Sequence, residues 1–456
     1  MTMIIEKSSF IRYTRFRNLY QWDVKRLCFA NNPSIPNPIR LAEILFPYKE
    51  SISKEDLLNN RWRIISKINF SGELFLRDVS DTSAFKGGLC LVNPRSLIYS
   101  KINVRHGCVY YHPDNTIPFA VSSEYPSFRI DGSRVNGVYL ARLLQSNYYK
   151  ALFNQISSGI SKSRVKPNDF LDIIIPMPSL IMQEAIAEAY LSKIHDAELL
   201  EQQAIKLEGE ARQYMLAELG INDIDSISIS PSNNKAFRYL SFVQYKSVSE
   251  WGYNHIYEKD TCSSWIYPSK KIEALCSIGS GGTPTRSNPN YYQGEIPWVK
   301  TGEVVNDVIF KTEEHINQDA IDNSSAKIYP KGSIIIAMYG QGDTRGRTAK
   351  LGIDATTNQA CAVLYNIDNN VVLTDYLWYY LQAQYNDLRS LASGNNQPNL
   401  NAGKIKKYDV VIPPLEIQTV IVQTIKEQKL HIKHLKHQAD ILRKKAIDEF
   451  DKTIFE

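Results

Sequence analysis

Apolar positions along this chain follow two periodic patterns, and each pattern occurs twice. In the first, Ala197, Leu200, Ala204, Leu207, Ala211 and Tyr214 are separated by alternating steps of three and four, and Ile432, Leu435, Ala439, Leu442 and Ala446 repeat the spacing. Such steps lay a narrow apolar stripe along one side of a helix, the kind of seam that pairs with a second helix. Two helices of nearly 40 residues are predicted, each roughly 55 Å long at about 1.5 Å per residue. In the second pattern, a short β-branched run precedes each helix: LDIIIPMP at 171–178 and YDVVIPP at 408–414. The proline after each isoleucine ends the strand, because it has no N–H to donate and disfavours helix at the residue before it. Further upstream, SLIYSKI (96–102) and KGSIIIAMYG (331–340) read as strands bounded by turn residues, and VYLARLLQS (138–146) and DYLWYYLQA (375–383) as helices.

The two sets are in register. Gly159/Gly394, Leu180/Leu415, Gln183/Gln418, Ile186/Ile421, Leu200/Leu435, Ala204/Ala439 and Ala211/Ala446 all keep an offset of 235 residues. Tyr139/Tyr376 and Gln145/Gln382 stand two residues further apart, which implies small insertions in loops. Aromatic, basic stretches near Phe10–Trp22 and Phe237–Tyr253 extend the repeat towards the beginning of each copy. The chain therefore reads as a tandem duplication. The predicted fold is mixed α/β, of the α+β kind: two globular domains joined by two long antiparallel coiled-coil helices with an internal pseudo-two-fold. The predicted boundaries are 1–178 for the first domain, 179–220 for the central helix, 221–413 for the second domain and 414–456 for the C-terminal helix.

Charge sharpens the helix pairing. The window 191–211 carries two Lys against five Asp/Glu, and its counterpart 426–446 carries seven Lys/Arg against two. Self-pairing of either helix sets like charges together, so pairing of the first with the second is favoured. The whole chain of 456 residues has a formal charge of +5, which permits a nucleic-acid partner without requiring one. No apolar run approaches the roughly 18 residues of a membrane span, and the start lacks an apolar signal core, so no membrane association and a cytoplasmic location are expected. Six scattered cysteines form no CxxC pair, which argues against a zinc site or disulfide framework.

The glycine-rich and histidine-rich stretches do not read as catalytic motifs. SIGSGGTPTRSNP (277–289) is glycine-rich, but Pro284 and Pro289 stand where a nucleotide-binding loop continues into a helix, and no Lys-Ser/Thr closes it. His431, His434 and His437 drift around a helix at three-residue spacing and read as a solvated basic face. Binding chemistry is easier to find. QGDTRGRTAK (341–350) sets Arg345, Arg347 and Lys350 on a glycine-rich loop after a strand, where arginine can bond guanine in a bidentate way or hold phosphate. SGNNQPN (393–399) offers Asn396 and Gln397, whose amides can read adenine edges, while its counterpart SSGISKSRVK (157–166) offers Lys162 and Arg164.

Together these segments resemble the specificity subunit of type I restriction-modification enzymes. The resemblance rests on GGTPT with YYQGEIPWVKTGEV, NQACAVL (358–364), and SGNNQPNL followed by YDVVIPPLEIQ in the second half, and on AVSSEYPSFRID (120–131), SSGISKSRV and LDIIIPMPSLIMQE in the first. The first half lacks GGTP, so the two domains are expected to be different subtypes. The resemblance implies a non-catalytic subunit with two target-recognition domains, each reading one half of an asymmetric bipartite double-stranded DNA target. It further implies two docked modification subunits, which bind S-adenosylmethionine and methylate adenine N6, and room for restriction subunits that use ATP and Mg. No cofactor is expected in this chain. Expected DNA contacts are Lys101, Arg105, Lys162 and Arg164 in the first domain and Thr283, Arg286, Lys300, Arg345, Arg347, Lys350, Asn396 and Gln397 in the second. Two rival readings are the recognition subunit of a type IIB-like restriction enzyme and a structural adaptor that binds protein.

Overall fold

The computed structural model describes residues 37–78, 87–157, 163–221, 265–340, 342–391 and 400–455. It divides into two compact units: residues up to Leu199 together with those from Gln438 onward, and Leu200–His437. The early aromatic, basic stretches, Gly159, Gly394, Cys28 and Cys262 lie outside the described residues.

In the first unit a four-stranded antiparallel sheet runs in the order Leu45–Tyr48, Ser127–Ile130, Ser96–Tyr99, Val109–His112. In the second unit Ser277–Ser280, Cys361–Tyr365, Ile334–Ala337 and Thr348–Leu351 follow the same order and directions. The β-branched run at 334–337 is its buried centre, as its unbroken apolar pattern predicts. Helices Gly137–Leu144 and Thr374–Ala383 pack into the corresponding cores. A two-stranded ribbon leads to each long helix: Pro38–Arg40 with Ile174–Pro176, and Ser269–Lys271 with Asp409–Val411. The second sheet of each unit differs. The first unit has five strands, Glu50–Ile52, Leu89–Val92, Phe119–Ser122, Ile64–Ile68 and Leu74–Arg77, whereas the second has three, Glu314–Ile316, Ile296–Val299 and Thr356–Thr357.

The GGTP segment belongs to that divergence. Gly281 and Gly282 run so close to neighbouring backbone that an added Cβ would meet Asn358 O at 2.1 Å and Ala326 N at 2.2 Å respectively. The carbonyl of Gly282 accepts a hydrogen bond from Trp298 Nε1 at 3.0 Å. These glycines fasten the three-stranded sheet to the rest of the unit, which is why the motif is absent from a copy built on a different second sheet.

The long helices span Leu180–Glu218 and Leu415–Phe455, 39 and 41 residues. In the second unit Ala204, Ile432 and Leu435 form a buried cluster with Leu200 and Leu207 against it, and along the helices Lys193 meets Glu449 while Glu208 meets Lys436. Rising numbers on one helix thus meet falling numbers on the other, as an antiparallel pair requires. Ala197, Ala211, Ala439 and Ala446 are likewise buried, and Leu442 is half-buried. The α+β fold with two long paired helices is therefore the one the periodicity predicts. The charge argument holds less uniformly: Lys436 pairs with Glu208 in the expected sense, but Lys193 pairs with Glu449 in the opposite one. Both pairs are substantially exposed and contribute at most about 1 kcal/mol, so the small-residue seam carries the packing.

The end of the C-terminal helix is fixed in the first unit by an inward-facing charge. Arg142 is 5% exposed, donates to Asp451 Oδ1 at 3.0 Å and lies over the Phe450 ring at 5.1 Å. Burial raises the Asp451 carboxyl above its ordinary value despite the opposing attraction of Arg142.

Candidate nucleic-acid interface

The repeat is written into hydrogen bonds as well as into sequence. Gln183 is fully buried: its Oε1 accepts from Asn136 N at 2.9 Å, and its Nε2 donates to Pro178 O at 2.9 Å and Arg134 O at 3.2 Å. Gln418 is also fully buried and does the same with Leu373 N (2.8 Å), Pro413 O (2.8 Å) and Val371 O (3.0 Å). Tyr139 OH donates to Pro176 O, and Tyr376 OH to Val411 O. Each long helix is thus clamped to its domain by one glutamine that satisfies both donor and acceptor capacity. The sequence pairs these glutamines only by offset; their shared role emerges from the backbone groups they reach.

One repeated bond bears on binding. Leu400 N donates to Met338 O at 3.2 Å, and in the first unit Val165 N donates to Lys101 O at 2.9 Å. Both pairs stand at equivalent positions of the duplication. Each bond fastens the loop after a central strand to the few residues just before a short helix, Pro167–Leu171 or Ala402–Lys406. The result is the same two-loop platform on both units.

In the first unit the platform gathers Lys101, Arg105 and Arg164. Lys101 Nζ donates to Ser123 O at 2.6 Å, Arg164 pairs with Glu124 at 3.2 Å, and Arg105 Nε meets His106 Nε2 at 3.2 Å. His106 in turn lies 4.8 Å from the ring of Phe70, which is 63% exposed on a neighbouring turn. Lys162 lies outside the described residues.

In the second unit the corresponding loop carries Arg345 and Arg347, both half-buried. Arg347 approaches Asp343 at 3.9 Å, and Arg389 approaches the same carboxylate at 3.7 Å. Tyr385 OH donates to Asp343 O at 2.6 Å, so the helix Tyr385–Ser390 braces the loop. Nothing in the sequence pattern singles out Tyr385 and Arg389, since their partners are some 42 residues away. Asn396 and Gln397 lie outside the described residues.

The other expected contacts sit elsewhere in the second unit. Arg286 lies over Tyr292 at 4.0 Å and donates to Glu314 at 2.7 Å, and Lys300 donates to Glu313 at 2.5 Å and approaches Glu314 at 3.3 Å. The hydrogen bond from Arg286 holds the Glu314 carboxyl below its ordinary value. These cations are therefore already compensated by carboxylates. Thr283, half-buried, belongs to the GGTP connection. Lys350 is not in the loop but in the strand Thr348–Leu351, opposite Ile334, and pairs with Asp375 on the helix Thr374–Ala383. Its side chain serves the junction between sheet and helix. His431, His434 and His437 are exposed on the C-terminal helix.

Residues 267–442 match the family model described as the type I restriction modification DNA specificity domain. The specificity subunit of type I restriction enzyme MjaIX from Methanocaldococcus jannaschii is 27% identical over 186 residues, which is 40% of this chain and 42% of the relative. That of EcoR124I/EcoR124II from Escherichia coli is 23% identical over 176 residues, 37% of this chain and 43% of the relative. The matched stretch thus spans less than half the length of either curated relative. A solved chain from a type I R-M system superposes with a TM-score of 0.51 at 15% identity, covering 92% of this chain and 98% of that one, which shows the shared fold. The chain is thus similar to type I restriction-modification specificity subunits, and its residues 267–442 match the type I restriction modification DNA specificity domain.

Proposed function

We propose that this chain is the non-catalytic sequence-specificity subunit of a type I restriction-modification complex and that each unit reads one half of an asymmetric bipartite DNA target. The observation that carries the reading is the two-loop platform, present at equivalent positions of both repeats and set with different side chains in each. Lys101, Arg105, Arg164 and Arg347 on the platforms are held by exposed ion pairs or side-chain hydrogen bonds, interactions worth about 1 kcal/mol or less, so exchange for phosphate oxygens or guanine edges costs little. The clamped helices serve as the spacer between half-sites. Two modification subunits, which supply S-adenosylmethionine chemistry, dock on the repeated frame, and restriction subunits with ATP and Mg join them.

The test is DNA binding by the chain in the presence of its modification subunits across a range of salt. Affinity for random duplex that falls steeply as salt rises supports the reading, and no affinity even at low salt overturns it. Arg345→Ala is expected to relax specificity at one position of one half-site, at a cost of about 1–3 kcal/mol on the preferred sequence. Uniform weakening on all sequences would instead make Arg345 a phosphate contact.

A further inference from the structure

The two units share a groove as well as a platform. In the first unit a cavity of about 470 Å3 opens between Val138, at the start of the helix Gly137–Leu144, and Ala187, Glu188 and Leu191 of the central helix. In the second unit a cavity of about 710 Å3 opens between Asp375, at the start of the helix Thr374–Ala383, and Val422, Gln423 and Lys426 of the C-terminal helix. Val138/Asp375, Ala187/Val422, Glu188/Gln423 and Leu191/Lys426 are equivalent positions of the duplication. The groove recurs because the buried glutamine beside it, Gln183 or Gln418, sets the long helix against the domain helix in the same way.

Its chemistry does not recur. The first groove is lined by the exposed carboxylates of Glu184 and Glu188. In the second, Lys331, Lys350 and Lys426 surround a single carboxylate, Asp375. Lys426 Nζ lies 2.6 Å from Asp375 Oδ2, and Lys350 bonds Oδ1. Three ammonium groups against one carboxylate leave this groove positive. Phe310, 69% exposed, lines the same groove and gives an apolar surface beside the charge.

We propose that the groove of the second unit docks an acidic segment with an apolar anchor from a modification subunit, and that the carboxylates of the first groove reject the same segment. This rests on the chain being a specificity subunit. Identical partners therefore meet two unlike surfaces on one repeated frame. One copy is held through charge and released by salt, while the other depends on contacts outside the groove.

Titration of the full chain with the modification subunit, followed by native mass spectrometry at increasing salt, separates the two copies. In the wild type the affinities are expected to differ, with one copy lost first as salt rises. Lys331→Gln with Lys426→Gln should weaken that copy about tenfold and leave the other unchanged. Because Lys426 also supports Asp375, Lys331→Gln alone is the control for folding: its side chain is exposed, and a smaller loss in the same copy is expected. Glu184→Lys with Glu188→Lys should narrow the difference between copies. Unchanged affinity for both copies in the Lys331 and Lys426 variants overturns the groove proposal and leaves the specificity reading intact. Failure of the wild type to bind any modification subunit overturns the specificity reading, and this proposal with it.

Discussion

Gln418 shows how much one buried polar side chain can decide. Its amide satisfies a helix-start N–H and two carbonyls. Gln418→Ala leaves those backbone groups without a partner, so a loss of about 1–3 kcal/mol is expected, read as a lower midpoint in urea unfolding. Gln183→Ala should do the same to the first unit. Gln418→Glu is expected to be no milder, since a carboxylate accepts but cannot donate to the two carbonyls. Asp375 gives a pH signature. Burial pushes its carboxyl up, but hydrogen bonds from Lys350 and Lys426 outweigh burial and leave it below its ordinary value of 3.8. A folded value below the unfolded one means stability present in full above about pH 3.8 and lost as pH falls through the folded value. The wild type's advantage over Asp375→Asn in thermal melts should therefore fade only in acid; a constant difference across that range would show that the charge is not what stabilises.

At the scale of elements, the helix seam and the domain sheets follow different rules. The seam uses alanine at positions buried between the helices, and Ala204 is fully buried against Ile432 and Leu435. Ala204→Leu adds volume with no cavity to receive it, and a destabilisation of about 1–3 kcal/mol is expected by calorimetry. A neutral result would mean that the helices pack loosely there. The seam was legible in the chain because its period is local: each step of three or four residues fixes a face without knowledge of the partner. The strands at 96–99 and 334–337 were legible for the same reason. Lys350 was not. Read beside Arg345 and Arg347 it looks like a loop cation, yet pairing with Ile334 draws it into a strand and turns it to Asp375. Strand limits depend on a partner that local pattern does not name.

At the scale of the whole molecule, the proposed spacer role makes a metric prediction. Insertion of one heptad into both long helices, in register, lengthens them by about 10 Å at about 1.5 Å per residue. With about 3.4 Å per base pair, the two methylated adenines should move apart by roughly three base pairs. Sequencing of methylated sites would show it, and an unchanged spacing would sink the spacer role while leaving recognition untouched. The duplication, the α+β class and the helix pair were all recoverable from residue order, because periodicity and constant offset are properties of the chain itself. The 235-residue register even located Gln183 and Gln418. What these glutamines hold, which loops join into a platform, and which cations already have carboxylate partners could not be read there. Those facts depend on groups far apart in the chain meeting in space, as Val165 meets Lys101 and Leu400 meets Met338 across more than 60 residues. Long-range packing chooses such partners through the fit of the whole domain, and no local pattern encodes it.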